Sequence, residues 1–135
     1  MENEHALAFR DGYPVAQGHT LVIPRVHVAS LFDLGPQVKE AVWGLVAQVR
    51  DQLADTLHPD AFTIGVNDCV AAGQTVPHAH IHVIPRWNGD VPDPRGGVRR
   101  VFPRQGCVLG EAVKPPTSDE QIAFLEKEWW GLMGP

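Results

Sequence analysis

The sequence predicts an α+β domain, in which an antiparallel sheet is covered by one long helix and a second helix follows near the C-terminus. Three observations support this fold class. Histidines alternate with apolar residues between Pro77 and Pro85, which is the period of a strand. After Pro36, apolar residues recur at three- and four-residue steps, which is the period of a helix. Short alternating or β-branched segments, bounded by turn residues, precede both runs.

The strands are predicted as two antiparallel pairs. Residues 4–10 alternate loosely, and residues 19–25 follow after a turn rich in glycine and proline, so the two segments are expected to form a hairpin-like pair. Residues 61–67 predict a third strand, and a short loop leads from it back to the histidine strand. These last two strands should therefore be antiparallel neighbours.

The long helix is predicted to begin at Pro36, which suits the first helical position, and to end near His58, where Pro59 follows. Its apolar residues should pack on the sheet, with Trp43 partly exposed or at a subunit contact. A second, C-terminal helix is predicted within residues 104–135, where Ser118 and Gln121 suggest a capping box.

Length and composition favour a single domain over residues 1–135, with its core in residues 3–103 and a loop and helix in residues 104–135. The net charge of −5 gives no electrostatic footprint for bulk nucleic-acid binding. No apolar run approaches membrane-spanning length, and the acidic N-terminus does not resemble a signal peptide. Together with only two cysteines, Cys69 and Cys107, these features predict a cytoplasmic protein with reduced thiols.

The three alternating histidines, His78, His80 and His82, are the candidate reactive groups. If the segment is extended, all three imidazoles leave one face of the sheet. Imidazole titrates near neutral pH, so the cluster can attack, donate or accept protons there. Three histidines and a water also make a known zinc shell, and residue types alone leave catalysis and metal binding both open.

The run from Gly73 to Pro85, GQTVPHAHIHVIP, resembles the signature of the histidine triad family of nucleotide hydrolases and transferases. Two upstream segments carry the same resemblance, EHALAFRD at residues 4–11 and GHTLVIP at residues 18–24, and it extends over roughly residues 3–103. It implies a two-fold dimer whose sheets join into one continuous sheet.

The resemblance also implies catalytic roles. His80, the central imidazole, is expected to attack an α-phosphorus, and His82 to donate to a phosphate oxygen. His78 and the outlying His19 are expected to hold the cluster in order. Relatives that transfer the nucleotide to a sugar phosphate carry glutamine at the third position of the triad, so His82 favours hydrolysis.

Five further residues are implied as substrate contacts. Phe9 is expected beside the nucleobase, Asp11 at the ribose hydroxyls, Asn67 and Thr75 at the phosphates and leaving group, and Gln74 as a support of the loop. Outside this set, we expect His27 to be a surface or capping residue. Cys69 stands where many relatives have glycine, which predicts strain if the backbone there is left-handed. Arg95, Arg99 or Arg100 is expected at a polyphosphate.

The predicted function is hydrolysis at the α-phosphate of a purine nucleotide, either a dinucleoside polyphosphate or a nucleoside phosphoramidate, through a nucleotidyl-histidine intermediate. No cofactor or bound metal is required, although a polyphosphate substrate can carry a divalent cation. The expected partners are a purine nucleotide and a second copy of the chain. Two alternatives stay open: a non-catalytic nucleotide-binding or signalling module, and a three-histidine metal-binding protein.

Overall fold

The structure is a computed structural model that describes residues 1–101. Four strands form one antiparallel sheet in the order β1-β2-β4-β3, and a single long helix, α1, connects β2 to β3. The elements are β1 Ala6–Arg10, β2 Thr20–Pro24, α1 Pro36–Leu57, β3 Ala61–Gly65 and β4 Ile81–Arg86. The predicted α+β class is confirmed. The predicted C-terminal helix and Cys107 lie outside the described residues.

Both predicted strand pairs are present. β1 pairs with β2 from Ala6 opposite Pro24, and β3 pairs with β4 from Ala61 opposite Arg86. The two pairs are joined in the middle of the sheet by β2 and β4, whose contact the sequence pattern did not predict. Each strand is slightly shorter than or shifted from its predicted range. Residues 1–99 form one compact unit, and the last two described residues fall outside it.

Helix α1 covers one face of the sheet. It begins at Pro36, and it ends at Leu57 because His58 adopts a left-handed conformation with φ +48°. Its buried face supplies five side chains: Val42, Leu45, Val46, Val49 and Leu53. They share a core with sheet residues that are themselves fully buried, Ala6, Val22, Ile81 and Val83. Trp43 is 50% exposed and is not part of this buried face.

The other face of the sheet carries no helix in the part of the chain that the structure describes. Burial alternates along β2 and β4, so every second side chain of these strands points away from α1. We call this side the open face, and define it by Phe9, Leu21, Gly65 and His82. No helix of the described residues is long and apolar enough to cross a membrane.

Candidate active site

The open face is organised by one row of paired residues that crosses the whole sheet. Phe9 on β1 is opposite Leu21 on β2, Leu21 is opposite His82 on β4, and His82 is opposite Gly65 on β3. Directly paired residues point to the same face of a sheet. Phe9 is 49% exposed, and it lies two strand spacings, about 10 Å, from His82. An apolar ring and an imidazole therefore share one surface at a separation that a mononucleotide can span.

The triad lies across the beginning of β4, and only His82 is within the strand. His78 and His80 precede Ile81, so the predicted strand over the whole triad is too long. The reason is that strand pairing stops here: the β2–β4 pairing ends at the pair Val22–Ile81, and the β3–β4 pairing ends at Gly65–His82. Burial still alternates from His78 through His82, which keeps the three imidazoles on the less buried side.

His80 has its tautomer fixed by a main-chain oxygen. Its Nδ1 lies 2.8 Å from the carbonyl oxygen of His78. A carbonyl can only accept, so Nδ1 carries the proton, and in the neutral ring Nε2 is left with its lone pair. The His80 and His82 rings are 5.0 Å apart between centroids and nearly perpendicular, at 74°. An imidazole in this tautomer can act as a nucleophile through Nε2.

His82 has its tautomer fixed by a chain of two hydrogen bonds that begins at the backbone. The N–H of Val15 donates to Nδ1 of His19 at 3.3 Å, so the proton of neutral His19 is on Nε2. That Nε2 lies 2.9 Å from Nδ1 of His82, which must accept. The remaining proton of His82 is then on Nε2, which can donate to a substrate oxygen.

Burial supports this neutral chain. It lowers the pKa of His82 from its ordinary value, and the neighbouring rings of His80 and His19 lower that pKa further, while the Asp11 carboxylate opposes them. Burial also lowers the pKa of His19, again opposed by Asp11. An imidazole with a lowered pKa is uncharged at neutral pH, as the hydrogen-bond chain requires.

Asp11 lies at the edge of this chain. Its Oδ2 is 3.4 Å from Nε2 of His19, and its Oδ1 accepts the N–H of Tyr13 at 2.8 Å. Of the residues that the resemblance assigned to catalysis or to the ribose, the structure therefore brings Asp11, His19, His80 and His82 together.

His78 makes different contacts from the other two triad histidines. Its Nε2 donates to the carbonyl oxygen of Pro24 at 2.9 Å, and its Nδ1 lies 2.8 Å from Nδ1 of His27. We expected His27 to be a surface or capping residue; it is exposed, but its ring contacts the triad. No sequence signal identifies this contact, because it joins residues 51 positions apart.

The loop before the triad is held by Gln74. This buried side chain accepts the N–H of Cys69 at 2.8 Å and donates to the carbonyl oxygen of Ala29 at 2.8 Å. Asn67 is half-buried after the end of β3, and Thr75 is exposed. Within residues 1–101, no hydrogen bond joins Asn67, Gln74 or Thr75 to a triad imidazole, so their substrate roles stay predictions.

Cys69 has a positive φ, the condition under which strain was expected, with φ +70° and ψ 171°. This conformation is not the left-handed helical one but a region that is almost restricted to glycine. A side chain there costs of the order of 1–3 kcal/mol. The loop keeps this conformation because the Cys69 N–H is bound by Gln74.

One group of potential metal ligands occurs in residues 1–101. Single donor atoms of Asp11, His19 and His82 all lie within 4.8 Å of one another. The three triad histidines do not form such a group among the described residues, and the three-histidine alternative stays a hypothesis. The Asp11 group is also joined by the 2.9 Å bond between two ring nitrogens, which a shared proton explains.

The arginine-rich loop makes its own ion pair. Arg95 donates through Nε to Asp93 at 2.9 Å, and Arg99 and Arg100 lie in a short 3₁₀ helix, Gly97–Val101. Their predicted contact with a polyphosphate stays a prediction.

Gly65 was not among the predicted site residues. A glycine inside a strand often marks a place where a ligand or another backbone approaches closely, and that signal was available in the sequence. A Cβ added at Gly65 would meet no atom within 4 Å. The space beside His82 is therefore open at this position.

Comparison with known proteins identifies relatives of this chain. The family model of the HIT domain matches residues 1–89. The chain is 41% identical over 83 residues to the bis(5'-nucleosyl)-tetraphosphatase of Schizosaccharomyces pombe, covering 62% of this chain and 46% of that protein. It is 35% identical over 89 residues to the adenylylsulfatase HINT3 of Arabidopsis thaliana, covering 66% of this chain and 45% of that protein. The matched region thus spans less than half of each enzyme.

Among solved structures, the chain is similar to a zinc-bound histidine triad family protein from Mycobacterium smegmatis. The TM-score is 0.62 at 38% identity, over 69% of this chain and 72% of that one. The match to the family model and the similarity to these relatives identify the family. The chain belongs to the histidine triad family.

Proposed function

We propose that the protein is a nucleotidyl hydrolase that cleaves purine nucleotides at the α-phosphate through a nucleotidyl intermediate on His80. The observation that carries this proposal is the 2.8 Å bond from His80 Nδ1 to the carbonyl oxygen of His78. In the neutral ring it leaves the lone pair on Nε2, so that no separate base has to remove a proton from this nitrogen.

In the first step, Nε2 of His80 forms a bond to the α-phosphorus, and the bond from phosphorus to the leaving group breaks, with its electron pair going to the leaving group. A phosphate or sulfate leaves as an anion, and an amine takes up a proton from solvent as it leaves. Nδ1 keeps its proton, and the carbonyl oxygen of His78 stabilises the positive charge that the ring gains. Nε2–H of His82 donates to an oxygen of the α-phosphate, where negative charge is concentrated.

In the second step, water attacks the same phosphorus and the bond to His80 breaks. The nucleoside monophosphate leaves, the proton of the water passes to solvent, and His80 returns to its neutral tautomer. The relay from Val15 through His19 keeps His82 a donor in both steps. Two displacements at one phosphorus split a difficult reaction into two easier ones.

The open face supports a nucleotide that lies along the residue row. Phe9 offers an exposed aromatic ring for the base, and the free space at Gly65 leaves room beside His82. The Asp11 carboxylate suits the two ribose hydroxyls, although it also lies beside His19. Asn67 and Thr75 are proposed to add neutral donors at the phosphates.

The names of the related enzymes support a phosphoanhydride or a related leaving group. One relative is a dinucleoside tetraphosphatase and the other an adenylylsulfatase. Both names describe nucleotides that bear a leaving group on a phosphate. We propose the same class of substrate for this chain, with nucleoside phosphoramidates as the other branch.

We also propose a two-fold dimer with a continuous sheet. Within residues 1–101, β3 is the last strand of the sheet order and is paired only with β4. The half-exposed Trp43 on α1 offers apolar surface for such a contact.

Turnover of a substrate panel by the wild-type protein and by His80→Ala tests the proposal. The panel holds diadenosine tetraphosphate, adenylylsulfate and adenosine phosphoramidate, and the readout is release of AMP. We expect at least one substrate to be hydrolysed, and the variant to lose turnover while it still binds AMP. His5→Ala, which changes a histidine outside the site, should keep wild-type activity. A wild-type protein that binds AMP but hydrolyses no member of the panel would indicate a nucleotide-binding module instead.

A further inference from the structure

The segment that holds the first two triad histidines is positioned by the last residue of β2 and by the connector that follows it. The N–H of Ala79 donates to the carbonyl oxygen of Val28 at 2.7 Å, and Nε2 of His78 donates to that of Pro24 at 2.9 Å. β4 begins only at Ile81, so the backbone that carries the nucleophile lies beyond the regular strand pairing. Its geometry depends on these two hydrogen bonds, one to the end of β2 and one to the connector.

His27 adds a side-chain contact to this connection. Its Nδ1 lies 2.8 Å from Nδ1 of His78, and the two ring centroids are 5.0 Å apart. Since Nε2 of His78 gives its proton to Pro24, neutral His78 has a lone pair at Nδ1. His27 must then be the donor, through Nδ1–H. The His78 ring is thereby bound at both nitrogens and cannot rotate without breaking a hydrogen bond.

The orientation of His78 matters because its main-chain oxygen is the partner of His80. That oxygen accepts Nδ1–H of His80 at 2.8 Å. A histidine whose other ring nitrogen is bound has its tautomer and ring direction set by that bond. The contacts therefore form a series. His27 binds the ring of His78, and the main-chain oxygen of His78 binds Nδ1 of His80. Nε2 of His80 then faces the substrate.

We infer that His27 is a positioning residue for the nucleophile His80, acting by donating a hydrogen bond to the His78 ring. This inference rests on the proposed function for its effect on turnover. His27 itself is exposed and is not proposed to touch the substrate. Its role is to keep the triad segment in the one conformation that presents Nε2 of His80.

Two variants of similar size separate hydrogen bonding from packing. His27→Asn keeps an N–H donor close to the position of Nδ1, whereas His27→Leu has no donor. We expect the leucine variant to lose about 10-fold or more in kcat, by analogy with the loss on removing the hydrogen-bond partner of a metal-bound histidine. KM and AMP affinity should stay within about twofold, and the asparagine variant should recover most of kcat.

A second measurement does not depend on turnover. Imidazole ¹⁵N–¹H correlation spectra report which nitrogen of His80 carries the proton. We expect a single Nδ1–H form in the wild type and in His27→Asn, and a mixture of tautomers in His27→Leu. If the wild type hydrolyses nothing but the spectra change in this way, the proposed function fails and the positioning role stands.

Three results would overturn the inference. The leucine variant could keep wild-type kcat and a single His80 tautomer. Both variants could lose the same activity, which would indicate loss of packing. A chelator could reduce the wild type to the level of the leucine variant, which would mean that a cation, not a proton, joins the Nδ1 atoms of His27 and His78.

Discussion

His19 immediately precedes β2, and His82 is in the neighbouring strand β4. Nε2 of His19 lies 2.9 Å from Nδ1 of His82. This bond has a direction, because the backbone N–H of Val15 already donates to the other nitrogen of His19. The direction makes His82 a donor towards the open face. The outlying histidine and the third triad histidine therefore act as one unit.

Replacement of His19 should remove the hydrogen bond that fixes the tautomer of His82. We expect His19→Leu to lower kcat by about 10- to 100-fold with a small change in KM, because an unsupported His82 populates both tautomers. His19→Gln retains an amide N–H that can reach Nδ1 of His82, and it should recover part of the loss. Steady-state kinetics on the best substrate of the panel measure both values. Equal kcat in the leucine variant and the wild type would contradict the relay.

The same pair should make stability depend on pH. The folded-state pKa of both His19 and His82 lies below the ordinary value of 6.5, so the unfolded chain binds protons first as the pH falls. Their contribution is complete above pH 6.5 and is lost as the pH falls through the folded-state values.

Urea unfolding at about pH 7.5 and about pH 5.5 tests this dependence. We expect the wild type to lose more free energy of unfolding between these pH values than His19→Gln does. His5→Gln, with the site histidines intact, should lose as much as the wild type. Identical losses in the wild type and His19→Gln would rule out the buried pair as a source of the pH dependence.

Gly65 should be a determinant of substrate access. A Cβ there meets no protein atom within 4 Å, so Gly65→Val should fold and is expected to gain stability as a β-branched residue in a strand. Its side chain would occupy the space beside His82. We expect KM to rise by roughly fivefold or more, because overpacking of the valine side chain against a bound substrate costs about 1–3 kcal/mol.

Gly44, an exposed helical position that also has free space, provides the control for this experiment. Gly44→Ala should raise the free energy of unfolding by about 1 kcal/mol and leave KM unchanged. An unchanged KM in Gly65→Val would place the substrate elsewhere than along the residue row.

Cys69 should be a strained position. Cys69→Gly is expected to raise the free energy of unfolding by about 1 kcal/mol, the balance of relieved strain against the extra freedom of an unfolded glycine. Cys69→Ala removes the thiol but keeps the Cβ, so it should bring no such gain. Thermal or urea unfolding measures both. If alanine stabilised as much as glycine, the thiol and not the backbone would be responsible.

The fold was predictable where the pattern is local. The alternation through Ala79, Ile81 and Val83 identified the buried side of the triad, and Pro36 and Pro59 bounded the helix. The beginning of β4 was not predictable in this way. It depends on where β2 and β3 stop pairing, which is a property of distant segments.

The residue types of the site were predictable from the sequence, but the hydrogen bonds between these residues were less so. The resemblance predicted roles for His80 and His82, which stay predictions, and the structure supplies the bonds that set their tautomers. His27 was missed because its contact with His78 arises only when the connector packs beside the triad. Gly65 was missed although a glycine inside a strand is a recognisable signal.

The central claim is that His80 bonds covalently to phosphorus, and the stereochemical course at the α-phosphorus tests it most directly. A substrate with a chiral α-phosphorothioate is hydrolysed in isotopically labelled water, and the configuration of the product is determined. Two successive in-line displacements predict overall retention. Inversion would mean that water attacks in a single step, and it would contradict the covalent intermediate.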